Sequence, residues 1–236
     1  MTGLVHVLLY VRTRQTFLFY KKMTDYILAS SYFSYFVLSI ALINIIINKH
    51  IRINSLYKWY TMYLGLILGI EMVALYLIEI MESSTTQFLY PFYIAGEFYI
   101  VVNLFLKELK VTKKWQIIVG LIASCFFIEA SVLWFISNDA STGYGKIMSH
   151  LTIICLAAIL LIKNLNELKN NNILTIIHAA FFLYYSVSLF LFMIMNQLTE
   201  YNSFIWIINN VLASLLYICF IFTFFRISKW SSKPNI

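Results

Sequence analysis

Charge is the scarcest ingredient of this 236-residue chain: Asp, Glu, Lys and Arg make up 11% of it, while 61% is hydrophobic. A soluble domain carries about 25% charged and about 45–50% apolar residues. In water, a monomer of the present composition would expose apolar surface on a scale that soluble proteins avoid, so lipid is the better solvent for it. Turn formers are scarce too. Seven glycines and two prolines leave few sharp bends. The three cysteines, Cys125, Cys155 and Cys219, lie inside apolar stretches. They form no CxxC pair and no metal-ligand spacing, so they read as small helix residues. Also missing are the phosphate-binding GxxxxGK[ST] loop, the GxSxG nucleophile turn and the zinc-binding HExxH helix. No catalytic residue, metal or cofactor is therefore assigned.

What is present is a series of long apolar runs. A helix crossing the hydrocarbon core needs about 20 mainly apolar residues, and a membrane β-barrel would instead show short alternating segments. Seven runs qualify: Tyr26–Asn48, Tyr57–Met81, Phe88–Leu106, Trp115–Ile136, Ile147–Ile162, Ile173–Met195 and Phe204–Phe225. The fifth is the shortest. The connectors between them are short and polar, for example Glu82–Gln87, Lys107–Lys114, Ser137–Lys146 and Lys163–Asn172. The fold class expected is all-α, a polytopic bundle of seven transmembrane helices.

Loop charge supplies the orientation, because Lys and Arg are retained on the cytoplasmic side. Lys49, Arg52 and Lys58, then Lys107, Lys110, Lys113 and Lys114, then Lys163 and Lys169, and finally Arg226, Lys229 and Lys233 all fall at one end. The opposite connectors carry only Lys146. This split predicts an N-out, C-in protein. It also accounts for the net charge of +7 without a nucleic-acid partner. Trp59, Trp115 and Trp230 near the inner ends, with Trp134 and Trp206 near the outer ends, suit interfacial aromatic belts.

The chain divides into an N-terminal extension, 1–22, a seven-helix domain, 23–228, and a short cytoplasmic tail, 229–236. The extension breaks the charge rule, with Arg12, Arg14, Lys21 and Lys22 on the side that should lack them. Its apolar piece Leu4–Val11 is too short to span and has no convincing cleavage site. Two readings stand: translation starts at Met23, or the segment lies on the membrane surface as an amphipathic piece.

An ionisable side chain inside a bilayer is costly and marks a candidate site. Counted by depth, Glu71, Glu97 and Glu129 fall near mid-membrane on three consecutive helices, whereas Glu79 lies near an outer end. Tyr90, Tyr93 and Glu97 share one face of the third helix; Asn210, Ser214 and Tyr217 repeat that spacing on the seventh. His178 and Tyr185 lie seven apart on the sixth, and His150 opens the fifth. Glu71, Tyr93, Glu97, Glu129 and Asn210 are thus the candidate ligand-binding set. Structural hydrogen bonding, a ligand or cation pocket open to the outside, a metal-assisted hydrolase using His150 and His178, and a proton or solute pathway are the competing uses. The two histidines are expected at opposite ends, which weighs against the hydrolase. Gly65 and Gly69 form a small-xxx-small pair, expected to serve close packing within the monomer. Pro91 falls in the first turn of the third helix, where proline is tolerated. The seventh run has no lysine, which excludes a retinal Schiff base.

The segments YPFYIAGEFYIVVNLF (Tyr90–Phe105), HAAFFLYYSVSLFLFMIMN (His178–Asn196) and IWIINNVLASLLY (Ile205–Tyr217) resemble small, uncharacterised bacterial seven-helix membrane proteins. Some of those resemble the membrane input modules found with histidine kinases. The resemblance spans roughly Asp25–Arg226 and carries over Glu97, Asn209 and Asn210. With mid-membrane polar residues and no catalytic motif, the leading expectation is a non-enzymatic sensory or signalling module of the inner (plasma) membrane. Such a module would touch the lipid bilayer and act through a separate partner, a histidine kinase or another signalling protein. A small-solute or ion transporter is the alternative, and a membrane-embedded metal-dependent hydrolase the second.

Overall fold

The computed structural model describes residues 2–48, 54–82, 85–166, 173–195 and 202–231. Lys49, Arg52, Lys169 and Lys233 of the loop-charge argument lie outside the described residues, as do the side chains of Arg12, Arg14, Lys21 and Lys22. Seven long helices account for the fold: α1 Thr2–Ile47, α2 Ser55–Glu79, α3 Tyr90–Glu108, α4 Lys114–Ser137, α5 Gly145–Asn166, α6 Thr175–Met195 and α7 Asn202–Ser231. Among the described residues there is no strand. Counting the 3-10 turn Gln87–Leu89 that leads into α3, the helices supply seven stretches of 20 to 26 residues long and apolar enough to cross a membrane. This is a multi-pass, all-α, seven-helix membrane protein.

Local chemistry sets the helix ends. The Asn54 side chain accepts from Leu56 N at 2.9 Å and caps α2. Pro91 occupies the first turn of α3, where its missing N–H costs nothing. Asn138 closes α4 in the left-handed conformation, φ 55°, a common helix stop. One sequence expectation needs correcting. The fifth helix is not the shortest but runs Gly145–Asn166, 22 residues, because Lys146 and Asn164 at its two ends turn inward rather than marking connectors. The first helix begins well before Met23. Helix α1 continues unbroken from Thr2 for 46 residues, about 69 Å at 1.5 Å per residue, more than twice the roughly 30 Å hydrocarbon core.

Inside lipid the short polar side chains must find partners within the protein, and many find them on their own helix. Ser39, Thr61, Ser124, Thr152 and Ser214 each donate to the carbonyl four residues earlier, at 2.7–3.0 Å. The helices close into a ring in which neighbours are α1 with α2, α2 with α3, α3 with α5, α5 with α6, α6 with α7, and α7 with α1. Helix α4 packs on the outside of α3 and only lightly on α5. Its buried residues Val119, Ala123 and Ala130 share one stripe. The opposite stripe, Ile117, Leu121, Ile128 and Phe135, is exposed and faces acyl chains.

The centre is aromatic. Tyr60 and Tyr63 of α2, Phe105 of α3, Phe181 of α6, and Phe220 and Phe224 of α7 are all buried. Their rings meet edge-on or stacked at 5.3–6.0 Å, the separations aromatic pairs prefer. These large rings let α2, α3, α6 and α7 touch across the bundle axis.

The glycine expectation is overturned. A Cβ at Gly65 or Gly69 would meet nothing within 4 Å, whereas one at Gly96 would come within 2.8 Å of Leu66 Cδ2. The close approach of α2 and α3 is made at Gly96, and the Gly65/Gly69 pair is turned away from the bundle. Gly96→Val is therefore expected to destabilise the protein by about 1–3 kcal/mol, with Gly65→Val close to neutral. Thermal unfolding of the purified variants checks this, and a larger loss for Gly65→Val contradicts the packing described.

Candidate functional site

Helix α3 carries the polar groups around which the site is built. Glu97 is 1% exposed. Its Oε1 accepts hydrogen bonds from Tyr93 at 3.2 Å, one turn earlier on α3, and from Tyr185 of α6 at 2.8 Å. Tyr93 stacks on Tyr90 with ring centroids 6.3 Å apart. The Tyr90 ring lies 5.4 Å below the Lys146 ammonium of α5, and Phe192 of α6 lies 4.8 Å from it on another side. One turn along α5, the His150 ring packs edge-on against Tyr185 at 5.0 Å. Lys146, Tyr90, Tyr93, Glu97, Tyr185 and His150 thus form a closed circuit of side chains from α3, α5 and α6. It sits toward the end of the bundle that carries the α2–α3 and α4–α5 connectors. Lys146 and Glu97 lie within electrostatic range of each other.

Sequence reading placed Lys146 in an outer loop. The structure puts it in the first turn of α5, turned inward between two rings. Cation–π attraction of this kind strengthens as the pair leaves water. The signal that would have found it is spacing: Lys146, Ser149 and His150 are three and four residues apart, hence on one helix face.

A second polar group sits near the opposite, basic end. Glu108, the last residue of α3, turns inward and its Oε2 lies 2.8 Å from His178 Nε2 on α6. His178 Nδ1 lies 3.0 Å from Asn164 Nδ2 on α5. With the Asn164 amide donating to Nδ1, the imidazole carries its proton on Nε2 and gives it to Glu108. His178 is fully buried, and Phe105 packs against its ring at 5.9 Å. Beside them Lys107 donates to the Ser55 carbonyl at 2.9 Å and also reaches the Ser55 hydroxyl, tying α3 to the start of α2. Glu108 was passed over as part of a connector. It lies eleven residues, three turns, beyond Glu97 and so on the same face of α3.

The five residues expected to share one site divide among three places. Tyr93 and Glu97 belong to the circuit. Asn210 of α7 donates to Ser30 and Ser31 of α1 at 3.0 and 2.9 Å, and Tyr35, within hydrogen-bonding reach of Ser31, reaches the Glu71 carboxyl as well. Glu71 and Asn210 therefore meet through α1. The Tyr184 and Tyr217 hydroxyls are in electrostatic range of both Glu71 and Glu97. Tyr184 also comes within hydrogen-bonding reach of Asn209. Glu129 stands apart: its Oε1 accepts from Tyr144 N at 2.8 Å, just before α5 begins. A Cβ at Gly145 would come within 2.8 Å of its Oε2. Its carboxylate positions the α4–α5 connector.

Among the described residues, two buried polar atoms around the circuit have no hydrogen-bond partner, Tyr90 Oη and Ser149 Oγ, while the His150 ring lies within hydrogen-bonding reach of the Lys146 backbone. Native proteins leave few such groups, and each calls for an explanation. Among the described residues, no group of three or more His, Cys, Asp or Glu side chains is placed to hold a metal ion. His150 and His178 belong to different clusters. The arrangement offers one carboxylate, one ammonium and several hydroxyl and imidazole groups: a set suited to binding.

Removing the Tyr185 hydroxyl leaves a buried carboxyl with one long hydrogen bond. Tyr185→Phe is expected to cost about 1–2 kcal/mol, and Tyr93→Phe less, because its bond is longer. Unfolding midpoints in detergent test the order, and an unchanged midpoint for Tyr185→Phe refutes its role as the principal donor to Glu97.

Compared with known protein families, curated proteins and solved structures, the chain matches none.

Proposed function

We propose that this multi-pass membrane protein is a sensory module of the inner (plasma) membrane, oriented N-out and C-in, which binds a small molecule in its outer half. The observation that carries this reading is the circuit of Lys146, Tyr90, Tyr93, Glu97, Tyr185 and His150, with unpartnered buried polar atoms around it. Binding sites of this kind combine aromatic walls with a few well-placed polar groups. Toward the basic end the axis is filled by Tyr63, Phe181, Phe220 and Phe224, so the polar groups have an aromatic floor rather than a conduit. The resemblance of Tyr90–Phe105 and the sixth and seventh helices to kinase-associated input modules supports a signalling output through a separate protein.

Transport is the second reading. It is favoured by the Glu108–His178 pair beyond the floor, since paired ionisable groups at two depths also mark solute and proton routes. Reconstituted full-length protein separates the two. A panel of small organic anions, cations and neutral polar solutes is scored for thermal stabilisation and for uptake into proteoliposomes. Sensing predicts a saturable rise in midpoint for one class and no flux. Flux that Glu97→Gln abolishes would replace the sensory reading with a transporter.

A further inference from the structure

Counting hydrogen-bond valences around the circuit shows an imbalance of one sign. Glu97 Oε1 already accepts from two hydroxyls. Lys146 Nζ brings three donors and meets two ring faces, Tyr90 and Phe192, which attract the charge but are not oxygen acceptors for its N–H groups. Beside it on the same face of α5, Ser149 and His150 are 1% and 2% exposed, and among the described residues Ser149 Oγ and Tyr90 Oη are unpartnered. Among the described residues the contacts of this ammonium are ring faces and the nearby charge of Glu97, which leave its N–H groups open to an oxygen ligand. One oxyanion near these groups would accept from Lys146, Ser149 and Tyr90 together, and charge-assisted bonds of that kind are the strong ones.

We infer that Lys146 anchors a singly charged anionic group, a carboxylate or a phosphodiester, whose apolar body lies against Tyr90 and Phe192. Glu97 limits the charge: a second negative group on the ligand would face its carboxyl. This inference rests on the reading of the circuit as a binding site and names its ligand class. The anion comes either from a soluble organic acid or from the headgroup of an anionic lipid, and both offer the same oxygens to Lys146.

The test uses full-length protein in phosphatidylcholine nanodiscs, titrated with benzoate and hexanoate and, as uncharged matches, benzamide and hexanamide, and read by unfolding midpoint. The acids are expected to raise the midpoint saturably and the amides not. Lys146→Met is expected to weaken the acid response roughly tenfold or more, a step worth about 1.4 kcal/mol, while Lys146→Arg retains it. Should Lys146→Met fail to fold, Tyr90→Phe and Ser149→Ala, which keep the charge, are each expected to weaken the response. A second arm adds phosphatidylglycerol to the discs. A Lys146-dependent rise there that blunts the response to benzoate assigns the site to a lipid headgroup. Equal responses to acids and amides, or an acid response unaltered in Lys146→Met, overturn the anion assignment. If cations or neutral solutes stabilise the protein and anions do not, the assignment falls and the sensory reading survives; if no solute of any charge does, both fall.

Discussion

Glu97 holds one carboxyl oxygen between the hydroxyls of Tyr93 and Tyr185, and the second of these bonds joins α3 to α6 across the axis of the bundle. A carboxyl at this depth cannot be turned to acyl chains without losing several kcal/mol. Helix α3 must therefore be enclosed. It touches α2, α4 and α5 along its length and is the most buried of the seven spans. The same demand is met again three turns along, where Glu108 finds His178. Because α3 and α6 run antiparallel, the earlier residue of one pairs with the later residue of the other. The seam reads as carboxyl to hydroxyl, ring to ring through Phe105 and Phe181, and carboxyl to imidazole. The seam between α1 and α7 is fastened similarly near both ends, by Asn210 with Ser30 and Ser31 and by Ser228 with Asn48.

Between these fastenings the packing is aromatic rather than merely apolar, and the reason lies in the solvent. Lipid chains are as apolar as leucine, so burying leucine brings helices together only weakly. Interlocked rings gain shape-specific contact and favourable edge-to-face electrostatics, which acyl chains do not offer. The large rings also set the helix spacing: they fill an axis too wide for backbones to touch. Where α2 presses closest on α3, the Leu66 side chain lies over Gly96, and a missing side chain on α3 makes the room.

Much of the architecture was legible in the sequence because lipid imposes one rule on every span. Length and apolarity alone place all seven helices to within a few residues at most ends. The pairing of Tyr93 with Glu97 was legible too, since a four-residue spacing fixes a shared face. What periodicity does not reveal is which faces meet. Glu71 and Asn210 were expected beside Glu97, yet α1 lies next to α7 and takes both into its own serine and tyrosine network. Gly65 and Gly69 carry the small-residue pattern and point outward, because a spacing rule does not know the rotation of its helix. Lys146 and Glu108 were missed for a shared reason. Each sits in the first or last turn of a helix, where charge normally marks a loop, and each has a side chain long enough to turn inward.

The position of Glu129 gives α4 a part that its place in the bundle would not suggest. This helix is an outrigger, greasy on its outer side and marginal to the central packing. Yet its carboxylate grips the backbone at Tyr144 and fills the space beside Gly143 and Gly145, so it dictates where α5 begins. The register of the next residue, Lys146, follows from that grip. The coordinates of an inward-facing cation are thus surveyed from a helix on the periphery, and tolerance to change along the outside of α4 ends abruptly where its one acid reaches in.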